Sequence, residues 1–194
     1  RWCMLSGKVT DEIFNILLPS YQFERANAWY SSYGKPNEQV QILIYLGRSY
    51  ANDGDYDKAM SIYTKALEIG EKNKLYNLVG YTYSYIGDLY REKAMRTEAI
   101  KKYEMAADNF KKENNTDSYA CALRDMGREY ACTDSISRAL EILLMADSIT
   151  ETSEDKDVKA SIENTLGNIY VMQNNYDKAQ KCFYKALEGR NKMP

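Results

Sequence analysis

No histidine occurs in the 194 residues, and the four cysteines, Cys3, Cys121, Cys132 and Cys182, form no C-x-x-C pair. A zinc site draws on such ligands, so no metal site is expected. If Cys121 and Cys132 share a helix, their separation at ~1.5 Å rise per residue is roughly 16 Å, beyond disulfide reach. Reduced, mostly buried thiols are the expectation. There is no Gly-rich phosphate loop and no nucleophile beside a base, so neither catalysis nor a cofactor is expected. No apolar run approaches the ~18 to 20 residues of a membrane span, and the N-terminus lacks the charged-then-apolar layout of a signal peptide. An excess of charge is also missing, with 26 Lys+Arg against 28 Asp+Glu and a net charge of -2. The basic footprint of a nucleic-acid binder is therefore absent.

What the chain does have is repetition. Leu46-Gly47-x-x-Tyr50 returns as Ile86-Gly87-x-x-Tyr90, Met126-Gly127-x-x-Tyr130 and Leu166-Gly167-x-x-Tyr170, each 40 residues after the last. Ala59, Ala99, Ala139 and Ala179 hold the same register, as do Ala66, Ala106, Ala146 and Ala186. A fixed period of this size marks a supersecondary unit that buries its apolar face only by stacking on its neighbours.

Leu43, Leu46, Gly47 and Tyr50 fall at i, i+3, i+4 and i+7, one face of an α-helix, here termed A-type. A second stripe, Tyr56, Ala59, Met60, Tyr63, Ala66 and Leu67, predicts a B-type helix. The short polar break Asn52-Asp53-Gly54-Asp55 makes the two antiparallel. Thr133-Asp134-Ser135 and Gln173-Asn174-Asn175 recur at the same place, where a Ser, Asp or Asn can cap the second helix. Lys93-Ala94-Met95-Arg96-Thr97 lacks glycine at that turn. Glycine inside a helix costs about 1 kcal/mol against alanine. Four in register imply a close approach, with Gly47 opposite Ala59 and tyrosines filling either side.

These residues resemble the tetratricopeptide repeat family, whose unit carries a bulky residue, Leu-Gly, Tyr, Ala, an aromatic and Ala at matching offsets. Leu43, Leu46-Gly47, Tyr50, Ala59, Tyr63 and Ala66 occupy them. The stretches Asn164–Tyr170, Tyr176–Ala179 and Phe183–Leu187 match best. The resemblance implies an all-α, right-handed solenoid of antiparallel hairpins over residues 1–194. Residues 1–36 form a degenerate first repeat, and 37–76, 77–116, 117–156 and 157–194 are full ones. In the worn copy, Gly7, Phe23 and Ala26 keep register, and a B-type helix is expected from near Pro19 to Ser32, stopped by Tyr33-Gly34-Lys35-Pro36. The family unit is commonly 34 residues. The extra six fall in Glu68–Lys74, Asp108–Asp117 and Ser148–Asp157 and are expected to lengthen both the B-type helix and the loop after it. That layout looks like the longer-unit branch of the family. The Sel1-like repeat is the rival, but it inserts residues between Gly and Ala, an interval that stays constant here. The chain starts on Arg1 and ends on Pro194 without a polar capping helix, so it is expected to belong to a longer protein.

The family's groove residues lie on a stripe beside the packing face. Carried over by helical spacing, they are Gln41, Ile44, Arg48 and Ala51; Tyr81, Ser84, Asp88 and Arg91; Cys121, Arg124, Arg128 and Ala131; and Ser161, Asn164, Asn168 and Val171. Four arginines against one aspartate predict a locally basic groove. Arginine suits carboxylate or phosphate, Asn164 and Asn168 suit peptide backbone, and Tyr81 offers a flat contact. The competing reading is that the arginines are solvated or paired with Asp88, Asp125 and Glu129. The family's carboxylate-clamp pattern is not reproduced residue for residue.

The resemblance implies a non-enzymatic scaffold. Its partner would be a protein or peptide, best an acidic or C-terminal segment, and self-association of the array is compatible with this. The alternative is the sensory input region of a bacterial signalling or transcriptional regulator, whose output domain would lie outside these residues. Localisation is open between cytoplasm and, behind a leader ahead of Arg1, periplasm.

Overall fold

The computed structural model describes residues 20–153 and 155–191; the expectations for Gly7 and Cys3 lie outside them. Among the described residues there are nine α-helices, one 3-10 turn and no strand. They are α1 (Ser20–Tyr33), α2 (Pro36–Asn52), α3 (Tyr56–Lys72), α4 (Tyr76–Glu92), α5 (Arg96–Lys112), α6 (Thr116–Ala131), α7 (Ile136–Ile149), α8 (Lys156–Met172) and α9 (Tyr176–Asn191). Chain contacts divide into two units, Arg1–Leu78 and Val79–Pro194.

In the first unit α2 packs between α1 and α3. The worn copy contributes its B-type helix as expected, ending at Tyr33, and Pro36 opens α2 at a position where a missing N–H costs nothing. Phe23 is buried and stacks on Tyr45, and the Tyr50 hydroxyl donates to Glu24, which ties α1 to α2. In the second unit α5 to α9 pack in sequence as antiparallel neighbours. Its core joins Ala99 and Tyr103 of α5, Leu123 and Met126 of α6, Ala139, Leu143 and Ala146 of α7, and Ile162, Leu166 and Ile169 of α8.

The nearest neighbours of the glycines are side chains of the following B-type helix, among them the Tyr63 that the sequence placed beside Gly47. A Cβ at Gly47 would lie 2.4 Å from the Tyr63 ring, at Gly87 2.6 Å from Tyr103, and at Gly167 2.4 Å from Phe183. Each glycine is thus a slot for the ring of the following B-type helix. At Gly127 the occupant is Leu143, 2.7 Å away, with the carbonyl of Ala139 at 3.3 Å. Tyr63, Tyr103 and Leu143 are almost fully buried, each burial contributing roughly 1.5 to 3 kcal/mol.

The turns differ from expectation in an informative way. Gly54 adopts φ +80°, and Lys74, Ala94, Asn114, Asp134 and Asn174 adopt φ between 54° and 58°. From Gly54 to Asp134 these positions are twenty residues apart, after A-type and B-type helices alike, and Asn174 follows forty residues later. In each, the N–H of the next residue reaches back five residues, as in Asp55 N to Tyr50 O at 2.9 Å and Leu75 N to Gly70 O at 2.9 Å. This is the Schellman closure of a helix end. Helices α2, α3, α4 and α5 all have 17 residues, and Asp53–Asp55 and Asn73–Leu75 are equal connections. The extra residues of the long period therefore lie in the helices, and the loop after the B-type helix is not lengthened. Ala94 takes the left-handed place of glycine in the turn that lacks one. In the third copy the last B-type turn tightens into the 3-10 segment Thr150–Thr152.

Capping follows the sequence in part. Asp55 and Asn175 side chains accept from Lys58 N and Lys178 N. Ser135 does not cap α7; its hydroxyl instead donates to the Thr133 carbonyl. Cys121 and Cys182 are half-buried, whereas Cys132, just past α6, is exposed, against the expectation of buried thiols.

Candidate functional site

The A-type helices α4, α6 and α8 of the second unit carry all the sequence-predicted site residues except Arg48, which is half-buried on α2 in the first unit. Tyr81 on α4 is partly exposed; its hydroxyl shares a 2.8 Å hydrogen bond with Ser118 Oγ of α6, and its ring meets Phe110 edge-on at 4.9 Å. Arg124 on α6 reaches the other way, donating from Nη1 to Ser161 Oγ of α8 at 2.9 Å. The three helices are thus cross-linked through their stripe.

The arginines are matched by carboxylates, so the basic groove expected from counting charges is corrected to an ion-paired face. Arg124 donates to Asp125 from both Nε and Nη2, at 3.0 and 2.9 Å. Arg128 Nη2 contacts the same Asp125 Oδ1 at 2.9 Å. Arg91 lies 3.4 Å from Asp88 and 3.1 Å from Glu92. Asp88 accepts from the Tyr103 hydroxyl at 2.8 Å. Burial raises the Asp88 carboxyl above its ordinary value, while the Tyr103 hydrogen bond and Arg91 pull it back. Burial likewise pushes the Tyr103 phenol up. The competing reading from sequence named Asp88 and Asp125 as partners of the arginines, and both pairings are present.

Asp125 serves two guanidiniums, and this leaves Arg128 only partly engaged. Its side chain is 41% exposed, and its buried Nε has no hydrogen-bond partner. Asn164 and Asn168 are exposed on α8. Ile44 and Ala131, placed on the stripe by spacing, are buried and belong to the core.

Two buried acids were not anticipated. Glu129 and Glu163 are 1% and 5% exposed. Glu163 stands where earlier copies carry Leu43, Tyr83 and Leu123, and Glu129 stands where Leu89 and Ile169 occur. For Glu163 a charge in an otherwise apolar register column was the available signal, whereas the Glu129 column also holds Ser49. Glu129 accepts from Arg96 Nη1 at 2.9 Å. Glu163 is raised above the usual carboxylate range by burial and by nearby Asp147. A carboxyl raised in the folded state adds stability at low pH and loses it as pH climbs through the folded value. Glu163→Leu should therefore raise the urea midpoint at pH 7, by the equivalent of about 1 kcal/mol. The gain should shrink towards pH 4, where the native side chain is already protonated; a gain independent of pH would contradict this.

Models of the tetratricopeptide repeat match residues 38–112 and 164–189. The chain belongs to the tetratricopeptide repeat family. A photosystem I assembly protein, Ycf3 of Acaryochloris marina, is 34% identical over 79 residues, which are 40% of this chain and 47% of that protein. The chain thus spans less than half the length of this relative. Among solved structures, BtubC of P. vanneervenii superposes with a TM-score of 0.71 at 21% identity, covering 88% of this chain and 74% of its own. A putative kinesin light chain repeat protein of Podosopora anserina gives 0.66 at 14% identity, covering 89% and 86%. These likenesses establish the tetratricopeptide-type all-α fold. No helix among the described residues is long and apolar enough to cross a membrane.

Proposed function

We propose that this chain is a non-enzymatic scaffold whose A-type helix face holds an extended segment of another protein through a carboxylate, from an acidic side chain or a C-terminus. The observation that carries the reading is the sharing of Asp125 between Arg124 and Arg128, which leaves an exposed guanidinium able to accept a second anion. A bidentate arginine–carboxylate contact is well suited to that geometry. Asn164 and Asn168 would hold the peptide backbone, Tyr81 and Asp88 would flank it, and Arg91 would serve an adjoining acidic residue. Arg48, on α2 of the first unit, is a separate candidate of the same kind. The organisation into a degenerate repeat over 1–36 and four repeats to 194 belongs to this proposal. Similarity to an assembly protein supports a role in bringing other proteins together.

The test is a peptide array with each sequence presented both as free C-terminal acid and as amide. Peptides selected by the chain should be rich in carboxylate. Arg128→Ala should weaken them about tenfold, in line with ~1.5 to 3 kcal/mol for a charged hydrogen bond, and Arg128→Lys should restore part of the loss. Equal binding by neutral peptides, or affinity indifferent to Arg124→Ala and Arg128→Ala, would sink the reading.

A further inference from the structure

The joint between α7 and α8 carries an acid on each side. In the four full copies Asp147 shares its register column with Leu67, Ala107 and Leu187, and Glu163 shares its column with Leu43, Tyr83 and Leu123. One copy earlier the counterparts, Ala107 and Leu123, are buried apolar residues, 5% and 6% exposed. At the α7–α8 joint alone both positions are carboxyls.

Neither acid is neutralised by a direct contact. Asp147 Oδ1 is buried and has no hydrogen-bond partner. Glu163 is 5% exposed, and its carboxyl takes no hydrogen bond or ion pair from the described residues. The groups that face it are Asp147 from α7, Lys159 on α8 itself, and Lys185 and Cys182 from α9. Burial, and after it Asp147, raises the Glu163 carboxyl above its ordinary 4.5, while the two lysines act at a distance and pull it back. Burial also raises the Cys182 thiol, which keeps that neighbour neutral. Two carboxyls set against each other away from water do not both ionise cheaply. A protonated carboxyl, moreover, is a donor, and a carboxylate is not. A proton held by the pair therefore removes the repulsion and supplies the donor that Asp147 Oδ1 lacks. We infer that Asp147 and Glu163 form a proton-dependent latch, in which one shared proton holds α8 to α7 and its loss on alkalisation loosens α8 and α9 locally. The sign follows from linkage. A carboxyl raised in the folded state contributes its stability fully below its unfolded value and loses it as pH rises through the folded one, so the latch is closed in mild acid.

Hydrogen exchange of the intact chain between pH 5 and pH 8, read by mass spectrometry and normalised for intrinsic exchange, tests this. Protection of α8 and α9 should fall about threefold or more across that range, a full tenfold requiring one unit of pKa difference. Helices α2 and α3 should stay level. Glu163→Gln supplies an amide donor at every pH and should hold the acid-form protection throughout. Asp147→Leu, which restores the residue found at Leu67 and Leu187, should flatten the profile as well. Carbon-13 spectra of glutamate-labelled wild type give a reading that needs no variant to be stable. One carboxyl resonance, assigned to Glu163 by its loss in Glu163→Gln or by its proximity to Lys159 amide signals, should titrate above the ordinary glutamate value. A flat wild-type profile, an equal fall in Glu163→Gln, or a Glu163 resonance that titrates at or below the ordinary value overturns the inference. A fall of the same size in α2 and α3 overturns it too, since the proton would then act on overall stability and not on one joint.

Discussion

Gly87→Val is expected to lower the stability of the second unit by about 2 kcal/mol, read as a fall in urea midpoint with unchanged slope. Even one methyl at Gly87 would stand 2.6 Å from Tyr103 Cε1 and 2.8 Å from Cδ1. The ring has nowhere to go. It is 0% exposed, and its hydroxyl is fixed to Asp88 at 2.8 Å. Forcing methylenes into a packed core costs about 1 to 3 kcal/mol, and the gain in helix propensity over glycine offsets at most ~1 of this. Gly87→Ala should therefore fall between wild type and the valine variant. Gly189 is the internal control. A Cβ there would meet only Ala160 Cβ at 3.8 Å, an ordinary contact. Gly189→Ala should be neutral to slightly stabilising, and a loss comparable with Gly87→Ala would refute the slot account.

Arg96→Ala should cost about 2 to 3 kcal/mol. Glu129 is 1% exposed and takes its 2.9 Å hydrogen bond from Arg96, so truncating the arginine strands a carboxylate in the interior. Breaking such a pair from one side typically costs about 3 to 5 kcal/mol, reduced here because Arg96 is 36% exposed and water can follow. The position of Arg96 supports this assignment. It opens α5, where a cation opposes the helix dipole and Met95 supplies no side-chain cap. Glu129→Gln keeps an acceptor and should cost well under half as much. Arg96→Met with Glu129→Leu should recover most of the stability, since an apolar pair of similar volume often replaces a buried ion pair without loss. Thermal or urea unfolding of the four proteins completes the cycle. A single arginine variant as stable as wild type would show that the pair contributes nothing.

Helices, their antiparallel pairing and the buried alanine columns were legible because period and spacing report directly on which side chains face inward. Gly47, Gly87 and Gly167 were legible as sites of close approach. Their occupants were legible only in part: tyrosines were expected on either side, but which ring sits on which glycine is set by a sixteen-residue offset across a turn, a property of helix packing that does not show in either helix alone. The B-to-A connections were misread for a related reason. Asn73–Leu75 is as polar as a long loop would be, yet Lys74 closes the helix in the left-handed region, which an L-residue adopts at a cost of roughly 1 to 2 kcal/mol. At the candidate site both a basic stripe and its pairing with Asp88 and Asp125 were open from sequence, because which carboxylate an arginine takes depends on side-chain reach between neighbouring helical positions, which spacing alone does not fix.

The joints at Gly54, Lys74, Ala94, Asn114, Asp134 and Asn174 share one geometry, whichever kind of rod they follow. In the first two full repeats a duplication or recombination event therefore has two acceptable breakpoints per period instead of one. Gene lineages of this kind can gain or shed whole blocks, starting at either joint, and the splice presents the backbone with a corner it already knows how to turn.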